Sequence, residues 1–511
     1  MRIRPSEGSR LLSLQSEGLP AVRASASNRQ AYEGAGQGRR ALSWYAPGSG
    51  PSTTVTSNLT TLRNRTRAGY RNTPWIAQAI DRLVSNEVGC GIAPRSRCKD
   101  EAFRAAANAL FDLWTAESDP AGELNFYGQQ AQLSRTRNMA GEVLVRLRRR
   151  RLGDGMTVPL QLQVIEPEHL PETKTEALSN GNIIVAGKEY SNRGALVAYH
   201  LYTEHPAEVL RGTWSGLPLR VPASEVLHHF LPIRPGQVRA EPVSVQSLLK
   251  AKTFDSYDDA ELVRKQTRAP YTGFLERAAM TEDDFLFDPM TGEPLKRDGD
   301  NVPTLDAQPG TIFAGMAGET LNLFDGDKSG DGYAEFMKQQ LLAICAGHGV
   351  PYEIVTGDWS GVNDRLVRAI LQEFRRSIEM VQDHLLIHQI CRPVWENWVD
   401  AAVWSGALKA PGYATRRAEY LACEWRPHAW PYVHPTQDID AKIRAIDAGI
   451  TSRDAVIVET GWDPEEIDRQ NVEGEKRRRA MRKAAGLPEE VPSSNRAKAA
   501  IPPPDGGQVT P

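Results

Sequence analysis

The stretch Gly347–Arg365, GHGVPYEIVTGDWSGVNDR, sets four glycines, a proline, a tryptophan and a closing Asn-Asp-Arg between two strongly helical segments. Before it, YAEFMKQQLLAICAG carries Tyr333, Met337, Leu341 and Ile344 at helical spacing and is expected to stop at Gly347. After it, the apolar positions Val367, Leu371, Phe374, Ile378, Val381 and Leu385 step alternately by four and three. A helix over that run would be roughly 45 Å long before Pro393 interrupts it, so it must lie against a neighbour.

The chemistry such a glycine-rich stretch could carry can be tested residue by residue. A phosphate loop needs Gly-x-x-x-x-Gly-Lys-Ser/Thr, because the lysine and hydroxyl handle phosphate and magnesium. Neither follows a glycine here in that register, and GNIIVAGKEY elsewhere has the wrong spacing. GDWSG is not the Gly-x-Ser-x-Gly of a nucleophile elbow. There is no His-Glu-x-x-His, and GCGIAP lacks the third glycine of a dinucleotide fingerprint. Asp438 and Asp440 in HPTQDIDAKIR are a candidate cation pair for a nucleic-acid-processing enzyme, although an Asp near a helix start explains them more simply. What remains is a connector packed by Tyr352 and Trp359, or a glycine-hinged loop that turns those side chains toward a ligand.

Bulk properties narrow the class. The chain has 511 residues, too many for one ordinary core, so two or three cooperating parts are expected. Its net charge of -3 excludes a globally basic protein, so any nucleic-acid contact must be local or weak. Apolar runs such as Leu341–Ala346 are far shorter than a membrane span, and the first residues lack a secretory signal's apolar core. No membrane association is expected. Five cysteines without a Cys-x-x-Cys pair point to reduced thiols rather than a disulfide framework or zinc site.

Outward from the central stretch, 1–52 and 487–511 are poor in large apolar residues and are expected to be a mobile arm and a disordered Pro-rich tail. Thr73-Pro74 starts a helix whose stripe is Ile76, Ile80, Leu83 and Val84. Val143, Val145 and Leu147, then Leu160, Leu162 and Val164, predict a hairpin. The run Arg148–Arg151 on it would touch phosphate or, more simply, form a solvated or subunit-facing edge. His228 and His229 would face opposite sides of a strand, one toward core and one toward surface, and so cannot share a metal. The segment Val245–Arg268 reads as a polar helix with a thin stripe of Leu249, Thr253, Tyr257, Ala260 and Val263. Turn residues and short strands fill Pro270–Gly332, a small β-rich insertion.

The ordered set YRNTPWIAQAIDRLVSNEVGCGI, LQVIEPEHL, VPASEVLHHFLPIRPGQVR, YDDAELVRKQTRAPYTGFL, GHGVPYEIVTGDWSGVNDRLVRAILQEFRR and HPTQDIDAKIRAIDAGITSRDAVIVETG strongly resembles the portal proteins of tailed bacteriophages, lambda type, from about Ala41 to Ala485. The resemblance implies an α+β fold, an elongated multi-part subunit with an α/β wing, helical stem, small β-rich clip and helical crown. By that likeness the wing's first part is 53–244, stem helix 1 is 245–269, the clip 270–332, stem helix 2 333–348 and the tunnel loop 349–363. The long helix with the rest of the wing is 364–436, and the crown 437–486.

The resemblance further implies a non-enzymatic subunit of a closed ring, usually of twelve, at one capsid vertex of the virion, assembled in the host cytoplasm. Double-stranded DNA is packaged and ejected through its channel without sequence reading. Implied partners are the terminase large subunit, head-tail adaptor proteins, and major capsid and scaffold proteins; no cofactor, metal or catalytic residue is implied. The implied tunnel-loop residues are Tyr352, Trp359, Ser360, Val362 and Asn363, and the implied channel face of the stem is Asp258, Glu261, Lys265 and Arg268.

Overall fold

The computed structural model describes residues 45–208, 216–268, 273–277, 319–323, 332–430 and 435–486. Most of the expected arm and clip, and the expected tail, lie outside them. The described residues from Pro51 onward form one compact unit. The fold is α+β, and every strand pair among the described residues is antiparallel.

The expected first helix is α3, Pro74–Glu87, preceded by α1, Pro51–Thr56, and α2, Leu59–Asn72. Its stripe of Ile76, Ile80, Leu83 and Val84 is buried. A short strand β1, Ala93–Ser96, leads to α4, Glu101–Trp114, and α5, Phe126–Ala140. The expected hairpin forms between β2, Glu142–Arg149, and β3, Leu160–Ile165, with Val145 opposite Val164 and Leu147 opposite Leu162.

Strands β4 (Glu176–Ala177), β5 (Ile183–Val185), β6 (Lys188–Tyr190), β7 (Leu196–Leu201) and β8 (Leu219–Pro222) make a second sheet in sequence order. β9, Val226–Phe230, returns to the first sheet and pairs with β2, giving the order β3-β2-β9. One face of β2 packs Val143, Val145 and Leu147 into an aromatic core with Phe111, Trp114, Phe126, Trp395 and Trp398. Its other face begins with Leu144, which packs with Leu170, Tyr199, Leu201 and Val221.

Because this sheet is covered on both faces, the reading of His229 as a surface residue is corrected. His228 and His229 are both buried. His228 Nε2 lies 2.8 Å from Glu142 Oε2, and His229 Nδ1 lies 2.9 Å from Gln389 Oε1. Burial lowers both imidazoles to about 3, so both are neutral at pH 7.

The stem candidates are α6, Leu248–Arg268, and α7, Tyr333–His348, flanking the paired strands β10, Gly273–Arg277, and β11, Glu319–Leu323. A five-residue helix α8, Tyr352–Thr356, interrupts the glycine stretch before α9, Asp364–Val381. Pro393 does not end the helical run there, contrary to expectation. Gln382–Cys391 is π-helical and passes directly into α10, Arg392–Trp404. The wider turn fits a proline that lacks the N–H and crowds the preceding carbonyls of an α-helix.

After α11, Tyr413–Tyr420, strand β12, Cys423–Arg426, pairs with β1. Helices α12 (Pro435–Asp447), α13 (Arg453–Glu459) and α14 (Pro464–Ala484) end the described chain. All five cysteines are free. Among the described residues, no helix is long and apolar enough to cross a membrane.

Candidate channel loop and stem

The glycine stretch is built from short-range constraints. α7 runs one residue past Gly347, and Gly349 (φ 69°) caps it in the left-handed region that L side chains adopt only with strain. Gly347 is itself helical, and a Cβ there would lie 3.0 Å from Ser247 Cβ, so its smallness serves close packing rather than unusual torsion. Gly357 (φ 72°) ends α8, and Gly361 (φ 77°) completes the tip. Between them Asp358 accepts bonds from the Ser360 amide and hydroxyl, closing a tight local turn. These bonds hold its carboxyl below the usual carboxylate range.

The five loop residues singled out in the sequence occupy different places. Trp359 is 40% exposed, and Ser360 beside it is exposed. Val362 is half-buried and its amide bonds to Trp359 O at 3.2 Å. Asn363 is the N-cap of α9, its Oδ1 accepting from Leu366 N at 2.9 Å. Tyr352 instead turns back toward the buried Val355, Phe374 and Ile378, with Lys338 Nζ 5.3 Å over its ring. The expected loop is therefore a rooted helix with an exposed tip at 357–361.

The buried His348, passed over in the sequence, fixes the root. Its Nδ1–H donates to Ile344 O at 2.9 Å, which leaves Nε2 to accept from the buried Ser244 hydroxyl at 2.9 Å. That tautomer joins the end of α7 to the segment leading into α6. Only the isolated Gly-His-Gly hinted at it, and nothing local names Ser244 as its partner.

On α6 the face toward α3 and α7 is Ala251 and Phe254, packed with Ile80, Met337, Leu341 and Ile344. Of the stripe read from the sequence, Tyr257 packs its ring against Tyr333 and Phe336 of α7, whereas Leu249 (76% exposed) and Val263 (58%) face away. Asp258 accepts a bond from the Tyr333 hydroxyl and Lys265 Nζ sits 5.1 Å over the Tyr333 ring, so both lean on α7. Glu261 is buried and paired with Arg264. Arg268 closes α6, but its side chain lies outside the description.

Asp438 and Asp440 do not form a cation site. Two residues apart on α12 they point about 200° away from each other. Asp438 lies in the first turn of that helix, where a carboxylate is favoured, and lines a 360 Å³ cavity with Arg368, Arg375 and Arg376. Glu166, Glu168 and His205 are the one group among the described residues with metal-compatible spacing. Arg67 already occupies it, bonding Glu168 at 2.6 Å and reaching Glu166 at 3.1 Å.

A structural scaffold subunit, with paired helices and a rooted loop carried on β-sheets, is the class these features define. The chain belongs to the lambda family of phage portal proteins, whose model matches residues 37–382. It is accordingly a non-enzymatic portal subunit, part of the phage head-tail connector. A probable portal protein of Halomonas phage phiHAP-1 is 27% identical over 431 residues, 80% of this chain and 79% of that one. Portal protein B of Escherichia phage lambda is 22% identical over 330 residues, 59% of each chain. Among solved structures, the neck of a native gene transfer agent particle computed with C12 symmetry aligns with TM-score 0.46 and 13% identity, over 81% of this chain and 95% of that one. A portal protein of the HK97 family from Corynebacterium diphtheriae aligns with TM-score 0.30 and 12% identity, over 73% of this chain and 96% of that one.

Proposed function

We propose that copies of this chain, twelve in number, close into a ring at one vertex of the virion, with α6 and α7 around a central channel and the 357–361 tip at its narrowing. Double-stranded DNA passes through during packaging and ejection without base readout. The helices α12–α14 form the crown, and the β10/β11 region is the clip that meets the terminase large subunit and later the head-tail adaptor. Major capsid and scaffold proteins surround the wing, and assembly takes place in the host cytoplasm.

The observation that carries this reading is the exposed apolar pair Leu249 and Val263, which share the side of α6 turned away from α7. Apolar surface repeated along a helix is satisfied when the same helices of neighbouring copies pack side by side in a closed ring. The net charge of -3 suits a channel that must release phosphates as readily as it meets them.

Mass photometry of the purified chain, with negative-stain images of the same sample, tests it. Particles near twelve times the monomer mass with end-on rings are the expected result. Particles of monomer mass at every concentration, with scaffold and capsid proteins also present, would overturn the ring.

A further inference from the structure

The sheet that carries β2 holds a cationic row that the channel reading does not use. Arg146, Arg148 and Arg150 follow one another at alternate positions on one face of the strand and its extension. Alternate residues of a strand lie about 6.8 Å apart, so the guanidinium groups form a regular ladder. Two of the three are aimed by the neighbouring strand: Arg148 Nε donates to Gln163 Oε1 at 2.8 Å and Arg150 Nε to Gln161 Oε1 at 2.7 Å. Gln161 is in turn held by its own amide, which donates to Glu117 O at 3.0 Å.

Those two Nε atoms are thus spent on positioning, which leaves the terminal nitrogens of Arg148 and Arg150 for another acceptor. Among the described residues the one carboxylate in ion-pair range is Glu225, 3.9 Å from Arg146. Arg146 Nε is buried without a hydrogen-bond partner. Burial together with the neighbouring Arg146 and Arg150 lowers the Arg148 guanidinium below its ordinary value. Three aligned cations facing one distant carboxylate repel one another unless an anion lies across them.

We propose that this ladder is a binding site for the phosphodiester backbone of nucleic acid, separate from the channel. Planar forks at a fixed repeat suit successive phosphates, which guanidinium groups hold in bidentate fashion. The contact reads no sequence, because nothing in the row addresses a base edge. The proposal rests on the portal reading only for why DNA is at hand, since the row is a property of this chain alone.

Binding of a fluorescent duplex of about two helical turns to the purified full-length chain is measured by anisotropy across a salt series, and particle mass is recorded in parallel. Arg146→Gln, Arg148→Gln and Arg150→Gln together should weaken binding and reduce the slope of log K against log salt by roughly 2.7, since each phosphate contact contributes about 0.9. Gln163→Glu keeps the acceptor for Arg148 and adds a charge beside the row, so it should weaken binding while the fold is retained. Unchanged affinity and slope in both variants would overturn the ladder, while normal rings in the same samples would leave the portal reading standing. Poly-glutamate binding that depends on the arginines while duplex binding does not would assign the row to an acidic protein and sink the nucleic-acid site. Displacement of the duplex by inorganic phosphate at equal phosphate concentration would reduce the row to a general anion site and equally refute the polymer.

Discussion

Glu142 and Arg239 are both fully buried and lie 2.7 Å apart beside the β3-β2-β9 sheet. Glu142 also binds the buried Arg63, which reaches Glu172 on its other side, and accepts from His228. Arg239 in turn donates to the carbonyls of Leu170, Ala186 and Pro167. One carboxylate thus ties α2, both sheets and the loop before α6 together, and the Arg239 and Arg63 guanidinium groups with the His228 hydrogen bond hold its carboxyl far below the usual range despite burial.

Removing that carboxylate strands two guanidinium groups in the interior. Glu142→Ala is expected to cost about 3–5 kcal/mol, read as a shift of the denaturant midpoint. Arg104→Ala, at a part-exposed pair with Glu465, should change the midpoint by less than about 1 kcal/mol.

Acid sensitivity follows from the same interior. His228 and His229 fall from 6.5 to about 3 on folding. Below pH 6.5 the unfolded chain takes up protons that the folded chain refuses, so stability should fall as the pH drops from 6.5 to 3. Glu142, depressed from 4.5, adds to the loss from about pH 4.5 downward. Thermal melts at closely spaced pH values should show this slope, and it should flatten in the double variant His228→Gln, His229→Gln. A slope unchanged by that pair would mean the histidines are not the sensors.

For the stem, Leu249→Asp with Val263→Asp should leave the monomer's melting point within about 0.5 kcal/mol of wild type. The same change should abolish rings in mass photometry if these side chains pack between subunits. Rings that persist in the double variant would place the subunit contact elsewhere.

The loop is best tested by shortening its tip. Deleting Glu353–Gly361 would remove Val355, which is buried, and confound channel and core. Removing 358–361 and closing with one glycine spares α8, so rings should form while DNA packaging or retention fails. Gly361→Ala should cost about 1 kcal/mol through its left-handed torsion and leave ring mass unchanged.

Much of the architecture could be read along the chain because it is encoded at short range. The stripe of α3, the hairpin of β2 and β3, the glycine caps around 347–361 and the start of α9 at Asn363 are set by residues within a turn or two of each other. The helix beyond Pro393 was harder, because whether a proline ends a helix or is absorbed by a π-turn depends on what holds the flanks. Here Gln389 is gripped by Phe230 and His229 from β9.

The portal family itself was also legible, since it rests on motifs in order. Three things were settled only by tertiary structure. Leu249 and Val263 of the α6 stripe proved to face outward, because Ala251, Phe254 and Tyr257 take the side toward α3 and α7. Tyr352 became the anchor of the loop and Trp359 its exposed end, because Tyr352 packs against the side chains of α3, α7 and α9 that meet beneath it. And Glu142, an unremarked acid after a glycine, became the centre of a buried polar network, because its partners come from positions 63, 228 and 239. Local sequence fixes torsion and periodicity; which charges meet in a low-dielectric interior is decided by the way distant segments fold onto one another.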